Sequence, residues 1–267
     1  MAEQRAIFIT GGGSGIGQAI AKRFADAGWF VGLGDVSEKG MAETAAMLPV
    51  GVFTYRFDVR DRDAWDQALA AFAGATGGRI DVLANNAGVP LGGPLAELTR
   101  EEIDRTLDIN LRGAIYGAQA AYRYLKASAP GSCLLNTASA AALYGMANQS
   151  IYGATKAGVK SLTETLDAEW AEDGIKVRSL MPSFIDTPLL KHPPNASRNI
   201  SIRQAVEEAG LEFTPVEVVA ENAWDAVRGD KVHYVVGATA KKMRFAAKWT
   251  PSKLRKRAKL LADAAES

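Results

Sequence analysis

Arg5–Gly28 reads RAIFITGGGSGIGQAIAKRFADAG, and three local signals follow one another inside it. Arg5–Thr10 is short and continuously apolar, the pattern of a strand buried on both faces. Gly11–Gly17 interrupts it with a glycine-rich turn. From Ile16 to about Ala27 apolar residues recur at helical spacing, and Gly28 closes the pattern. A strand, a glycine turn and a helix in that order open a βαβ unit.

The alternation then continues. Trp29–Gly34 is a second strand closed by Asp35, and a helix follows from Ser37, its N-cap. Val52–Asp58 is a third strand, Asp61 to about Thr76 a third helix, and Ile80–Asn85 a fourth strand running into Asn86-Ala87-Gly88. Long helical patterns over Thr99–Ala127 and Gln149–Glu172 flank a strand at Ser132–Thr137. Ile175–Met181 and Val232–Val236 supply the sixth and seventh strands. Strands alternating with helices predict an α/β fold, a Rossmann-like doubly wound parallel sheet of about seven strands with helices on both faces. No repeat or linker divides the chain. Residues 1–240 are read as one catalytic domain and 241–267 as a basic, amphipathic helical tail. Pro182 to about Thr214 is longer than an ordinary connection, with a polar run from Asn195 to Asn199, and 183–214 is assigned as a substrate loop.

Composition narrows the function. The 267 residues carry a net charge of +1, which gives no whole-chain attraction to nucleic acid. The single cysteine, Cys133, sits in an apolar run and reads as a buried structural thiol. Two histidines, His192 and His233, make a protein-built metal centre improbable, so no metal is expected. A strand pattern within five residues of the start leaves no room for a signal peptide, and no apolar run suffices to span a bilayer. The expected location is the cytoplasm.

Glycines at the first βα turn let the backbone approach a pyrophosphate, which rests on the helix N-terminus. Asp35 follows at the end of the second strand, where a carboxylate accepts from ribose hydroxyls and repels a 2′-phosphate. That favours NAD over NADP. The competing reading is an Asp that caps the next helix. Asp58, ending the third strand, is placed against the adenine.

A second constellation lies at Ser139–Lys156, SAAALYGMANQSIYGATK. Tyr152 and Lys156 at i and i+4 share a helix face, so an ammonium can favour the phenolate. Ser139 adds a hydroxyl, and the three together form a proton-transfer device.

Taken jointly, Thr10-Gly11-Gly12-Gly13-Ser14-Gly15-Ile16-Gly17, Asp58-Val59, Asn85-Asn86-Ala87-Gly88, Asn110, Ser139 and Tyr152-Gly153-Ala154-Thr155-Lys156 resemble the short-chain dehydrogenase/reductase superfamily, in its single-domain branch of roughly 250 residues. The resemblance implies Tyr152 as acid/base, Lys156 as the group that lowers its pKa and binds the nicotinamide ribose, Ser139 as holder of the substrate oxygen, and Asn110 as anchor of a water in a proton relay. It assigns cofactor contacts to Thr10, Gly11, Gly13, Ser14, Gly15, Ile16, Gly17, Asp35, Asp58, Val59, Asn86, Ala87, Gly88, Tyr152, Lys156, Pro182, Ile185 and Thr187. The chain departs from the family at Ser183, where glycine is usual after Pro182.

The implied activity is NAD-dependent interconversion of a secondary alcohol and a ketone. The alternatives are an idle NAD-binding regulator and an NAD-recycling epimerase or dehydratase. Candidate substrate contacts are Ser139, Leu91, Leu143, Met146, Phe184, Leu189 and Leu190. Their apolar character, with no pair of Arg or Lys among them, points to a hydrophobic, aromatic or steroid-like substrate. Lys241–Ala262 holds nine Lys or Arg and no acid, together with Met243, Phe245, Trp249, Leu254, Leu260 and Leu261. Such a segment can lie on an anionic membrane, remain a solvated helix, or pack on a neighbouring subunit. The resemblance also implies a homo-oligomer, dimer or tetramer, built on the two long helices. Ala118, Ala120, Ala121, Ala154, Ala157 and Gly158 are small enough for that packing or for packing on the sheet.

Overall fold

The computed structural model describes residues 4–49, 51–197 and 200–256. Seven strands, β1 (Ala6–Thr10), β2 (Phe30–Asp35), β3 (Phe53–Arg56), β4 (Val82–Asn85), β5 (Cys133–Thr137), β6 (Lys176–Pro182) and β7 (His233–Val236), form one sheet in the order β3-β2-β1-β4-β5-β6-β7. Every pairing is parallel. The chain winds outward from β1 to β3, then crosses back to place β4 beside β1 and winds the other way. That reversal opens a crevice at the carboxyl ends of β1 and β4, where ligands of such sheets bind.

Strand alternation divides the core into two faces. Ile7 and Ile9 of β1 point into one cluster, with helices α1 (Gly15–Asp26) and α8 (Val216–Arg228) packed over it. Ala6 and Phe8 point into the other, with α3 (Arg62–Ala75) and α5 (Gly113–Ala127). The expected strands and the first helices are present, with ends moved by at most two residues. Ser37 caps α2 (Glu38–Ala46) by accepting from Gly40 N–H at 3.0 Å, and Asp61 caps α3. Cys133 is fully buried, which pushes its thiol up to about 12.

Two elements depart from the expectations. The long pattern Thr99–Ala127 is not one helix. It runs as α4 (Arg100–Leu107), a π turn over Asp108–Arg112, and α5. The wide turn rotates the helix about Asn110 while leaving the apolar period nearly intact. Helix α8 is the second departure, a helix where the sequence pattern marks none. It buries Val219, Ala220, Ala223, Ala226 and Val227, and its Trp224 meets Phe24 of α1 edge-on at 5.2 Å.

Ala118, Ala120 and Ala121 serve the sheet, being at most 3% exposed within this chain's own core. On α6 (Ser150–Glu169), Gly158 packs on Leu111, whereas Ala154 and Ala157 face outward. The segment 183–214, expected to be a substrate loop, is fastened rather than loose. Asn195 Nδ2 donates to Gly92 O at 2.6 Å, and Glu102, the closing residue of the α4 capping box, accepts from Ala196 N–H at 2.9 Å. A short helix α7 (Ile202–Glu208) follows. Helix α9 (Ala238–Trp249) runs unbroken through residue 241, with Ala240 fully buried, and residues 251–256 are helical again. Leu260 and Leu261 lie outside the described residues. Among the described residues no helix is long and apolar enough to cross a membrane.

Candidate active site

The glycine turn is built by close approach. Gly11 and Gly15 take φ of +65° and +55°, conformations that L side chains rarely adopt. At Gly17 there is no room for a side chain, because a Cβ would overlap the Gly11 carbonyl and lie 2.8 Å from Asn86 Nδ2. Thr10 Oγ1 accepts from the N–H groups of Asn86 (3.1 Å) and Ala87 (3.2 Å), and Asn86 Nδ2 donates to Thr10 O at 3.0 Å. Thr137 Oγ1 donates to Asn86 Oδ1 at 3.2 Å, and Lys156 Nζ donates to Thr137 O at 2.8 Å. One run of hydrogen bonds thus links the glycine turn to the lysine across the ends of β1, β4 and β5.

Both groups open into a single cavity of about 1420 Å³. That exceeds the roughly 300–1,000 Å³ of a one-ligand pocket and leaves room for two molecules side by side. Of the expected nucleotide residues, Gly11, Ser14, Gly15, Ile16, Asp35, Asp58, Val59, Asn86, Ala87, Gly88, Pro182, Ile185 and Thr187 line it. Thr10, Gly13 and Gly17 stand behind the wall. Asp35 Oδ2 accepts from Gly13 N–H at 2.9 Å and Oδ1 from Ser37 N–H at 2.9 Å. The carboxylate therefore braces the glycine turn and the next helix while facing the cavity. Arg60 grips Asp58 through two nitrogens, at 2.6 and 2.9 Å, and holds its carboxyl below the usual range.

At the other end, Ser139, Tyr152 and Lys156 line the same cavity. Ser139 ends the extension of β5, and its Oγ accepts from Ala141 N–H at 3.2 Å. Burial raises the Tyr152 phenol, and its hydrogen bond with Ser139 acts in the opposite direction. The net direction differs from the expected one: in the protein alone burial dominates, and the phenol stands above its ordinary value. Lys156 Nζ lies 5.8 Å from the Tyr152 ring centroid, and desolvation pulls the lysine itself from 10.5 to about 8. Asn110 does not line the main cavity. Its Oδ1 accepts from Val89 N–H at 2.8 Å and its Nδ2 donates to Val89 O at 2.9 Å, so the side chain pins the loop after β4. Gly88 brings the two groups together, since a Cβ there would lie 3.2 Å from Asn110 Oδ1 and 3.4 Å from Lys156 Nζ.

The depressed lysine has a stability consequence. Between about pH 8 and 10.5 the unfolded chain keeps a proton the folded chain has lost, so stability rises with pH there. Below about 8 the whole cost of burying the ammonium is present. Lys156→Met should therefore raise the melting temperature near pH 7, by a net gain on the order of 2 kcal/mol once the lost bond to Thr137 is offset. The gain should vanish toward pH 10. Thermal melts of both proteins across pH check this; a lower melting point for the variant at pH 7 would overturn it.

Leu91, Met146, Phe184, Leu189 and Leu190 line the cavity as expected. Leu143 does not; it packs on the cluster of Ala140, Val159, Met181 and Val235 beneath. Thr239, Lys242, Met243 and Ala246 of α9 form part of the wall, so the basic tail segment contributes a second lysine to the cavity beside Lys156. Met243 and Ala246, one turn apart inside a basic run, were the available signal. Ser183 is accommodated where glycine is usual because Gly237 opposite it lacks a side chain: a Cβ on Gly237 would lie 2.6 Å from Ser183 Oγ.

Residues 5–198 match the family model described as short chain dehydrogenase. The chain is 35% identical over 239 residues to cis-4-hydroxycyclohexanecarboxylate dehydrogenase of Sinomonas cyclohexanicum, covering 88% of this chain and 93% of the relative. Among solved structures it resembles levodione reductase (TM-score 0.79, 30% identity, 90% of this chain and 97% of the other). It also resembles a short chain dehydrogenase/reductase from Burkholderia phymatum in complex with NAD (TM-score 0.82, 26% identity, 96% and 97%).

Proposed function

We propose, from the premise that this chain belongs to the short-chain dehydrogenase family, that it is an NAD(H)-dependent oxidoreductase interconverting a secondary alcohol and a ketone on a hydrophobic, aromatic or steroid-like substrate. The observation carrying this reading is that one cavity joins the Gly11–Gly17 turn and Asp35 to Ser139, Tyr152 and Lys156. Gly11 and Gly15 in left-handed conformations, a turn closed too tightly for a Cβ at Gly17, and a carboxylate at the end of β2 fit a dinucleotide. When bound, that cofactor supplies the hydride acceptor for oxidation and the hydride donor for reduction.

The chain's own residues handle the proton. Tyr152 Oη takes the hydroxyl proton during oxidation and returns it during reduction, with Ser139 Oγ holding the same substrate oxygen. Lys156 opposes the burial of the phenolate and reaches the nicotinamide ribose. Asn110 fixes Val89 and the wall beside them. Leu91, Met146, Phe184 and Leu189 shape the rest of the pocket for an apolar body. A homo-oligomer, dimer or tetramer, belongs to the same reading, with Ala154 and Ala157 available on the outer face of α6.

The test is NADH absorbance with a panel of cyclic and aromatic secondary alcohols and small hydroxy acids, each offered with NAD and with NADP. Turnover of the apolar alcohols with NAD is expected; turnover of charged hydroxy acids alone would defeat the substrate reading. In Asp35→Ala the NAD-to-NADP ratio of kcat/KM should fall about ten-fold or more, ~1.4 kcal/mol. The ratio is the proper readout, because the substitution also loosens the turn through Gly13. An unchanged ratio would remove Asp35 as the discriminating residue.

A further inference from the structure

Helix α9 presents two different surfaces. One face, with Thr239, Met243 and Ala246, closes the cavity. On another, Phe245 and Trp249 stand at i and i+4, each 64% exposed, the most exposed large apolar side chains among the described residues. Helical spacing sets Lys241 and Lys248 on one side of this pair and Lys242 on the other. Lys248 Nζ lies 5.0 Å from the Trp249 ring centroid. The described residues from 238 onward carry seven cations, Lys241, Lys242, Arg244, Lys248, Lys253, Arg255 and Lys256, and no acid. None of the seven makes an ion pair with a described residue. The remainder of the chain is net acidic, so charge is strongly polarised toward this one surface. Two further exposed apolar residues, Leu189 (40%) and Ile200 (38%), border the same cavity from the substrate loop.

We propose that this surface docks on an anionic lipid bilayer, with Phe245 and Trp249 inserted among the headgroups, the surrounding lysines and arginines on lipid phosphates, and the mouth of the cavity turned to the membrane. Charge complementarity favours this occupant. The acidic body is repelled by an anionic surface while α9 is drawn to it, which fixes one orientation. An aromatic pair flanked by cations is the side-chain arrangement of a helix lying in the interfacial plane. An apolar substrate dissolved in the bilayer would then enter the cavity without crossing bulk water. The docking itself does not depend on which reaction the site carries out.

The test is co-sedimentation of the full chain with phosphatidylcholine vesicles, with and without phosphatidylglycerol, at low and high salt. Binding is expected only to the anionic vesicles and should weaken as salt rises. Phe245→Ser/Trp249→Ser and Lys241→Glu/Lys248→Glu should each lower the bound fraction about ten-fold or more. These residues do not line the cavity, so the melting temperature and turnover of a water-soluble alcohol should stay as in the wild type. Equal binding to neutral vesicles, or no binding to either, overturns the proposal. So does a concentration-dependent rise in mass on ultracentrifugation that the aromatic variant abolishes, because the surface would then belong to a second copy of the chain.

Discussion

Tyr152→Phe should lower kcat/KM for alcohol oxidation by on the order of 10³-fold, about 4 kcal/mol, while NADH affinity changes less than about two-fold. The substitution keeps the ring that packs beside Lys156 and removes only the oxygen. Its hydroxyl is hydrogen-bonded with Ser139 and held protonated by burial, so at neutral pH it is poised to donate during reduction. Oxidation needs the phenolate and should climb as pH rises; reduction needs the phenol and should fall. The inflection belongs to the Tyr152–Lys156 pair rather than to either group, since Lys156 itself titrates near 8. Rate–pH profiles in both directions, with NADH fluorescence titration of the variant, make the measurement. A variant retaining more than about a tenth of the activity would remove Tyr152 from the proton transfer.

How much of this was legible in the chain varies with the kind of signal. The strands and the glycine turn announce themselves because a parallel sheet buried on both faces demands continuous apolar runs, as in Arg5–Thr10 and Cys133–Thr137. Tyr152 and Lys156 are legible because a helix converts i and i+4 into neighbours. The π turn at Asn110 is not, because one residue of extra winding scarcely disturbs the apolar period. Helix α8 buries mostly alanine and valine, and three of its five inward residues are alanines, a weak hydrophobic signal. The basic composition of 241–267 masked the inward face of α9, where Met243 and Ala246 are wall rather than tail. Most elusive was the balance at Tyr152. Residue spacing shows which charge is near, whereas the sign of the shift depends on desolvation, which only the packed site reveals.

The glycine turn permits the sharpest structural prediction. Gly17→Ala should weaken NADH binding more than about 100-fold and destabilise the protein by about 1–3 kcal/mol. Its new methyl would overlap the Gly11 carbonyl and sit 2.8 Å from Asn86 Nδ2, and neither neighbour is free to move. Gly11 is backbone in a left-handed conformation, and Asn86 is committed to Thr10 at 3.0 Å and Thr137 at 3.2 Å. Pushing Asn86 away disturbs Thr137, whose carbonyl holds Lys156, so damage at the phosphate end should travel to the proton-transfer end. Residual turnover at saturating NAD should therefore also fall, which distinguishes a broken scaffold from a simple binding defect. Gly74→Ala is the matched control. It lies on the exposed side of α3 with nothing within 4 Å of an added Cβ, and should be neutral or stabilising by up to about 1 kcal/mol. Isothermal titration and thermal melts of the two variants side by side make the comparison. If Gly17→Ala bound NADH as tightly as Gly74→Ala, the turn could not be the pyrophosphate cradle.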